Sequence, residues 1–212
     1  MDDLQQRAAA IRQGLAKLHP NAECALRHEN PLQLLVATIL SAQCTDVMVN
    51  KVTPALFAKY PDAAAFAAAE PAELETLVKS TGFYRNKAKN IRECGRLLAL
   101  RHGGAVPRTL EELVELPGVA RKTANVVLGE CFDTPGITVD THVGRLSRRM
   151  GLTRHEDPVK VERDLDALVP RAERTIFSHR MIHHGRQVCA ARAPDCDACP
   201  LAELCPKIGV EA

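Results

Sequence analysis

A chain of 212 residues can bury a substantial hydrophobic core, and it forms either one large domain or two small ones. Hydrophobic residues make up 46% of the sequence, which excludes a disordered chain, while aromatic residues contribute only 3%. The formal net charge of +2 is nearly neutral. Any surface that binds nucleic acid must therefore come from local clustering of basic residues.

The N-terminus and the cysteines predict the compartment. The start, Met1–Leu4, lacks the basic and apolar regions of a signal peptide, and no apolar run reaches the length of a membrane span. We therefore expect a cytoplasmic protein with no membrane partner. In that compartment, eight cysteines indicate metal binding or catalysis rather than disulfides.

Apolar periodicity and capping residues predict helices along the whole chain. The first helix runs from Leu4 to Leu18 and ends before Pro20. Capping residues or prolines mark further helix starts at Asn30–Pro31, Asp62, Pro71, Thr109 and Asp140. After Asp140, three helices are predicted over residues 141–151, 158–169 and 171–185. No stretch alternates like a β-strand, so the predicted fold class is all-α.

The segment from Leu116 to Lys122 carries the first functional signal. It reads Leu-Pro-Gly-Val-Ala-Arg-Lys, a turn that leads directly into an apolar helix. The backbone N–H groups of a helix start form an anion site, here beside two basic side chains. The pattern predicts a helix-hairpin-helix that binds a nucleic-acid backbone without reading its sequence, through Leu116, Pro117, Gly118, Val119, Ala120 and Arg121.

Four cysteines near the C-terminus carry the second signal. Cys189, Cys196, Cys199 and Cys205 follow the pattern C-x6-C-x2-C-x5-C within seventeen residues. Four thiolates so close together predict a single site for either zinc or a [4Fe–4S] cluster. The spacing alone does not separate these two.

The hairpin, the cysteine spacing and the Val139–His142 run together resemble the endonuclease III family of DNA glycosylases, from the first helix to Cys205. The resemblance implies a two-domain helix-hairpin-helix glycosylase fold. A six-helix barrel domain would span residues 24–134, and an iron–sulfur cluster domain residues 1–23 and 135–212. It also implies a [4Fe–4S] cluster on the four cysteines.

The resemblance further implies a bifunctional enzyme of base excision repair. Such an enzyme removes oxidised pyrimidines from duplex DNA and then cuts the strand by β-elimination. Its partners would be duplex DNA with damaged bases or abasic sites. We expect it to act as a monomer at the bacterial nucleoid.

Lys122 and Asp140 match the family's catalytic positions. An amine that attacks the sugar C1′ leaves an imine, which permits strand cleavage, and the dipole of a helix start disfavours the protonated form of a lysine there. Asp140 would help to deprotonate the amine and would stabilise positive charge on the sugar. The simpler readings are a phosphate contact for Lys122 and a helix cap for Asp140.

Chemistry on a base requires the nucleotide to leave the stack, and two residues match family positions that fill the gap. Gln43 would enter the void. Phe83 stands where many family members have a leucine that wedges the opposite strand, although it could instead pack in the core. Ala120 replaces a glycine found in most members, so we expect weaker or displaced DNA contact at that turn.

Basic side chains also cluster outside the hairpin, at Arg85, Lys87 and Lys89 and again at Arg145, Arg148 and Arg149. Of the two groups, we expect the first to follow the DNA phosphates. Two alternative functions are a monofunctional adenine or mismatch glycosylase of the same superfamily, and a non-catalytic module that binds damaged DNA. The pairing of Lys122 with Asp140 argues against both.

Overall fold

The computed structural model describes residues 3–210, and all regular structure in that range is helical. The α-helices of this part of the chain are α1 (Asp3–Leu18), α2 (Pro31–Ser41), α3 (Asp46–Lys59), α4 (Ala63–Ala67), α5 (Pro71–Val78), α6 (Tyr84–Arg101), α7 (Leu110–Val114), α8 (Arg121–Cys131), α9 (Thr141–Arg149), α10 (Pro158–Leu168) and α11 (Arg174–Gln187). Single 3₁₀ turns lie at Lys79–Thr81, Arg171–Glu173 and Ala202–Leu204. The prediction of an all-α chain is confirmed.

The described residues divide into two compact units. Residues 24–134 form the central unit, which contains α2 to α8. Residues 3–23 and 135–210 form the terminal unit, so α1 folds with the C-terminal part of the chain. The hairpin therefore belongs to the central unit, and the four cysteines of the tail belong to the terminal unit.

The central unit is built around α2, in which every residue from Leu34 to Leu40 is buried. A helix that is buried all round must be covered on every side. Accordingly, α2 packs against α3, α6 and α8, while α4 and α5 pack against α6. Ala124 and Val127 of α8 pack into this core, whereas Arg121 and Lys122 in its first turn are exposed.

Within residues 3–210, side-chain caps start six of the helices. In each, the capping oxygen accepts a hydrogen bond from the backbone amide three residues further on, as predicted for four of them; the capping residues are Asn30, Thr45, Asp62, Thr109, Asp140 and Asp157. Such caps occupy amides that have no partner within the helix. Helix α8 differs because its N-cap, Ala120, provides no side-chain acceptor.

The terminal unit has its own apolar core. Helix α11 packs against α1 and α9, and α10 packs against α1 and α9. Ile11, Leu146, Leu165 and Phe177 are among the buried side chains at their contacts. None of the helices within residues 3–210 combines the length and the apolar character needed to cross a bilayer.

Candidate functional site

The hairpin turn between α7 and α8 has the geometry that its sequence demands. The Val119 amide donates to the Leu116 carbonyl at 3.1 Å, with Pro117 and Gly118 between them. Gly118 has a φ of +80°, and a Cβ there would lie 3.0 Å from the side chain of Asn90 on α6. Proline followed by a glycine of positive φ is the pattern of a type II turn. Glycine is thus required at position 118 by both backbone and packing.

The turn presents backbone rather than side chains. Leu116 and Val119 are buried in the central core, whereas Gly118, Ala120 and Arg121 are exposed. Any contact of Leu116 or Val119 with DNA would therefore be made by their main chain. The first turn of α8 has no side-chain cap, so its backbone amides can donate hydrogen bonds to a phosphate.

Ala120 is not strained. Its φ of −87° and ψ of 167° are extended, so the conformation does not need glycine. Backbone conformation thus gives no reason for glycine at position 120, because the left-handed residue of this turn is Gly118. We still predict that the methyl group of Ala120 weakens the contact with an approaching phosphate.

Lys122 lies in the first turn of α8, and its side chain is exposed. The next residues, Thr123 and Ala124, are buried and hold the helix against the central core. The amine thus projects from a rigid helix start rather than from a mobile loop. This is suitable support for a nucleophile, which needs a fixed position but an accessible approach.

Asp140 is half-buried at the start of α9 in the terminal unit. Its Oδ1 accepts a hydrogen bond of 2.8 Å from the Val143 amide, so the predicted cap is present. The bond fixes the orientation of the carboxylate and uses only one of its oxygens.

His142 follows on the first turn of α9. Its Nδ1 lies 3.2 Å from Arg145 Nη2, and the ring packs so closely on α11 that a Cβ at Gly185 would lie 2.8 Å from Nδ1. Burial lowers the pKa of His142, while the nearby Asp140 carboxylate opposes that shift. The residue supports the start of α9.

Gln43 and Phe83 occupy two exposed turns of the central unit. Gln43, between α2 and α3, has a φ of +51°, and Phe83, at the start of α6, has a φ of +48°. Left-handed backbone is rare for residues other than glycine, and it is costly unless the surrounding structure maintains it. Phe83 is 65% exposed, so the alternative that it packs in the core is wrong.

Lys87 differs from what its sequence neighbours indicate. The sequence groups it with Arg85 and Lys89 as a residue that follows phosphates, but the residue is only 4% exposed. Its Nζ donates to the carbonyl oxygens of Leu40 at 2.8 Å and Thr81 at 2.7 Å. Burial lowers the pKa of this ammonium group. The Lys87 ammonium group therefore bonds within the protein, whereas Arg85 and Lys89 are exposed.

The second basic group is also structural in part. Arg145 Nη2 donates to the carbonyl oxygens of Gly185 and Cys189, at 3.1 and 2.8 Å. Arg149 is buried and donates to the carbonyl oxygens of Ala190 and Ala191, both at 2.7 Å. These two side chains hold the segment that begins the cysteine tail, a role that the sequence pattern did not reveal.

The four cysteines of the tail line one cavity in the terminal unit: Cys189, Cys196, Cys199 and Cys205. Arg149 Nη1 lies 3.2 Å from the Cys189 sulfur, and His184 Nε2 lies 3.5 Å from the Cys199 sulfur. The segment thus brings all four thiols together beside an arginine that can stabilise negative charge on sulfur.

Four thiols around one cavity are a donor set that fits either a zinc ion or an iron–sulfur cubane. Zinc binds thiolates at about 2.3 Å, which would bring four sulfurs to within about 4 Å of each other. An iron–sulfur cubane takes one thiolate on each iron and so needs the sulfurs further apart around a shared cavity.

Comparison with known proteins decides the family. The model of the HhH-GPD superfamily base excision DNA repair proteins matches residues 36–171, more than half of the chain. The endonuclease III of Synechocystis sp. is 57% identical over 207 residues, which cover 97% of this chain and 94% of that protein. The chain belongs to the endonuclease III family.

Solved structures of endonuclease III agree with this assignment. A non-covalent endonuclease III–DNA complex contains a chain that is 46% identical, with a TM-score of 0.92 over 96% of this chain and 95% of that one. A trapped endonuclease III–DNA covalent intermediate matches with the same identity and TM-score, over 96% of both chains. The predicted family and two-domain helix-hairpin-helix fold class are thereby confirmed.

Proposed function

We propose that this chain is a bifunctional DNA glycosylase and abasic-site lyase of base excision repair, which removes oxidised pyrimidines from the DNA of the bacterial nucleoid. The observation that carries the proposal is the exposed amine of Lys122 on a rigid hairpin helix, in a member of a family with a covalent protein–DNA intermediate. A lysine there is not needed by a protein that only binds DNA.

Lys122 supplies the nucleophile. Its neutral amine attacks C1′ of the damaged nucleotide as the glycosidic bond breaks, and the base leaves with a proton. The new C1′–N bond becomes an imine once the sugar ring opens. Loss of a C2′ proton then expels the 3′ phosphate, which cuts the strand by β-elimination.

Asp140 supplies a fixed carboxylate. One oxygen is held by the Val143 amide, and the other is left for the reaction. Negative charge held in place stabilises the positive charge that grows on the sugar as the base departs. The same group can accept the proton that the amine must lose.

Gln43 and Phe83 act on the duplex. Moving a nucleotide out of the stack is costly, and side chains that fill the gap offset part of this cost. Both residues are exposed on turns of the central unit, as such a role requires. An aromatic ring at position 83 can stack on the bases next to the gap.

The hairpin from Leu116 to Arg121 binds the phosphate backbone. Main-chain amides and the exposed Arg121 provide contacts that position the enzyme without reading sequence. This mode suits an enzyme that must recognise damage anywhere in a genome.

The four tail cysteines would hold a [4Fe–4S] cluster. When bound, the cluster would supply a rigid covalent centre around which the tail folds. Arg149 stabilises one of the ligand sulfurs, and Arg145 holds the main chain beside it.

The test of the cluster assignment is iron and sulfide analysis with visible absorption. Cys196→Ser is expected to abolish the cluster, whereas Cys131→Ser, a half-buried cysteine of the central unit, is expected to retain it. Stoichiometric zinc in place of iron would contradict this assignment.

A gel assay on a duplex with one oxidised pyrimidine tests the activity. We expect base release and strand cleavage together, with the unsaturated sugar fragment of β-elimination on the 3′ end. Base release without cleavage would instead support a monofunctional glycosylase. Binding without either product would support a damage-binding module.

A further inference from the structure

Lys87 joins the two exposed turns of the central unit. Its Nζ donates to the Leu40 carbonyl in the last turn of α2, and to the Thr81 carbonyl that ends the 3₁₀ turn before α6. Its own backbone amide donates to the Phe83 carbonyl at 3.1 Å. Leu40 precedes Gln43 by three residues, and Thr81 precedes Phe83 by two. One residue therefore holds the main chain at the base of both turns.

Packing alone does not account for a lysine at this position. Both acceptors of its ammonium group are neutral carbonyl oxygens, and burial of a charge with such acceptors is expensive. A methionine of similar length would fill the same space without that cost. What the ammonium group adds is several directed donors on a single atom, which can bond two separate segments at once.

The two turns need support from outside. Gln43 and Phe83 both have left-handed backbone without being glycine, which persists only where neighbouring structure maintains it. Their side chains are exposed, so side-chain packing contributes little to that support. Bonds to the main chain next to each turn therefore matter more than usual.

We propose that Lys87 is a positioning residue that fixes the spacing between Gln43 and Phe83, so that both side chains enter the duplex together. The inference rests on the proposed roles of those two residues. The duplex sets the distance between the two places at which these side chains enter. A pair held at a fixed distance therefore loses less freedom on binding than two independent turns would. Lys87 itself makes no contact with DNA and acts through the two turns.

The test compares Lys87→Met with the wild type on two substrates. One is a duplex with a single oxidised pyrimidine, and the other is a single-stranded oligonucleotide with a preformed abasic site, which needs no extrusion. We expect Lys87→Met to slow the duplex reaction about 10- to 100-fold and to leave single-strand cleavage within about twofold. Lys51→Met, an exposed lysine of α3, is the control and should change neither rate.

An equal loss on both substrates, or no loss on either, would overturn the proposal. Wild-type protein that is inactive on both would instead contradict the proposed function, so the two failures are distinguishable. If Lys87→Met does not fold, Lys87→Gln serves in its place, because it keeps an amide donor of shorter reach. We expect from it a smaller loss that is again confined to the duplex.

A double-mutant cycle distinguishes the positioning role of Lys87 from a purely structural role. In a Gln43→Ala/Phe83→Ala background, the addition of Lys87→Met should cause no further loss on the duplex, because nothing is left to position. A full additional loss in that background would show that Lys87 acts by another route.

Discussion

Asp140 has two functions in this account, and they can be separated by substitution. The carboxylate caps α9 through a 2.8 Å bond from the Val143 amide, and it also provides charge for the reaction. Asparagine caps a helix about as well as aspartate, whereas alanine cannot accept the bond. Asp140→Asn therefore removes the charge alone, and Asp140→Ala removes both charge and cap.

The expected magnitudes differ for stability and for rate. Loss of the cap should cost about 1 kcal/mol. For a chain of this size, that cost corresponds to a fall in melting temperature of about 2–4 °C. Asp140→Ala should show this fall, and Asp140→Asn should melt close to the wild type. Both should lower the single-turnover rate of base release by about 100-fold or more, because both lose the charge.

Asp157 provides the matched control in the same unit. Its Oδ1 caps α10 through a 3.0 Å bond from the Lys160 amide. Asp157→Ala should lose a similar amount of stability with no loss of rate. If Asp140→Asn kept full activity while Asp140→Ala lost it, Asp140 would be a cap and nothing more. If Asp157→Ala were equally inactive, stability would explain the loss.

Two further substitutions test the DNA-contacting turns. Phe83→Ala should leave the melting temperature nearly unchanged, because Phe83 is 65% exposed, but it should slow base release from duplex DNA. Phe83→Leu should restore most of that rate. Equal rates for the wild type and both variants would show that Phe83 has no part in the mechanism. Ala120→Gly should preserve or improve affinity for duplex DNA in a binding titration, since glycine also serves as an N-cap and allows closer approach of a phosphate. A clear loss of affinity would show that our account of this turn is wrong.

Local chemistry explains which features the sequence predicted well. The helix starts at Asn30, Asp62, Thr109 and Asp140 depend on residues within three positions of each other, so a single sequence contains the whole signal. The same holds for the hairpin, where Pro117 and Gly118 specify the turn. The cysteine spacing likewise predicted one site in one short segment.

Features that depend on tertiary packing were not predictable in this way. Lys87 lies among basic neighbours that are exposed, and only the fold shows that it points inward to the carbonyl of Leu40, 47 residues away in sequence. Arg149 stands in a basic stretch of the sequence, but its Nη1 lies beside the sulfur of Cys189, 40 residues further along the chain. No local pattern distinguishes a buried basic side chain from an exposed one when its partner is a distant carbonyl or thiol.

The central claim is that Lys122 attacks the sugar, and borohydride trapping on a duplex with one oxidised pyrimidine tests it most directly. Borohydride reduces the imine and leaves a stable protein–DNA adduct. We expect the adduct with the wild type and none with Lys122→Gln or Lys122→Arg, although Lys122→Arg keeps the cation and should still bind the duplex. An adduct that persists in Lys122→Arg would contradict the account, because another amine would then be the nucleophile.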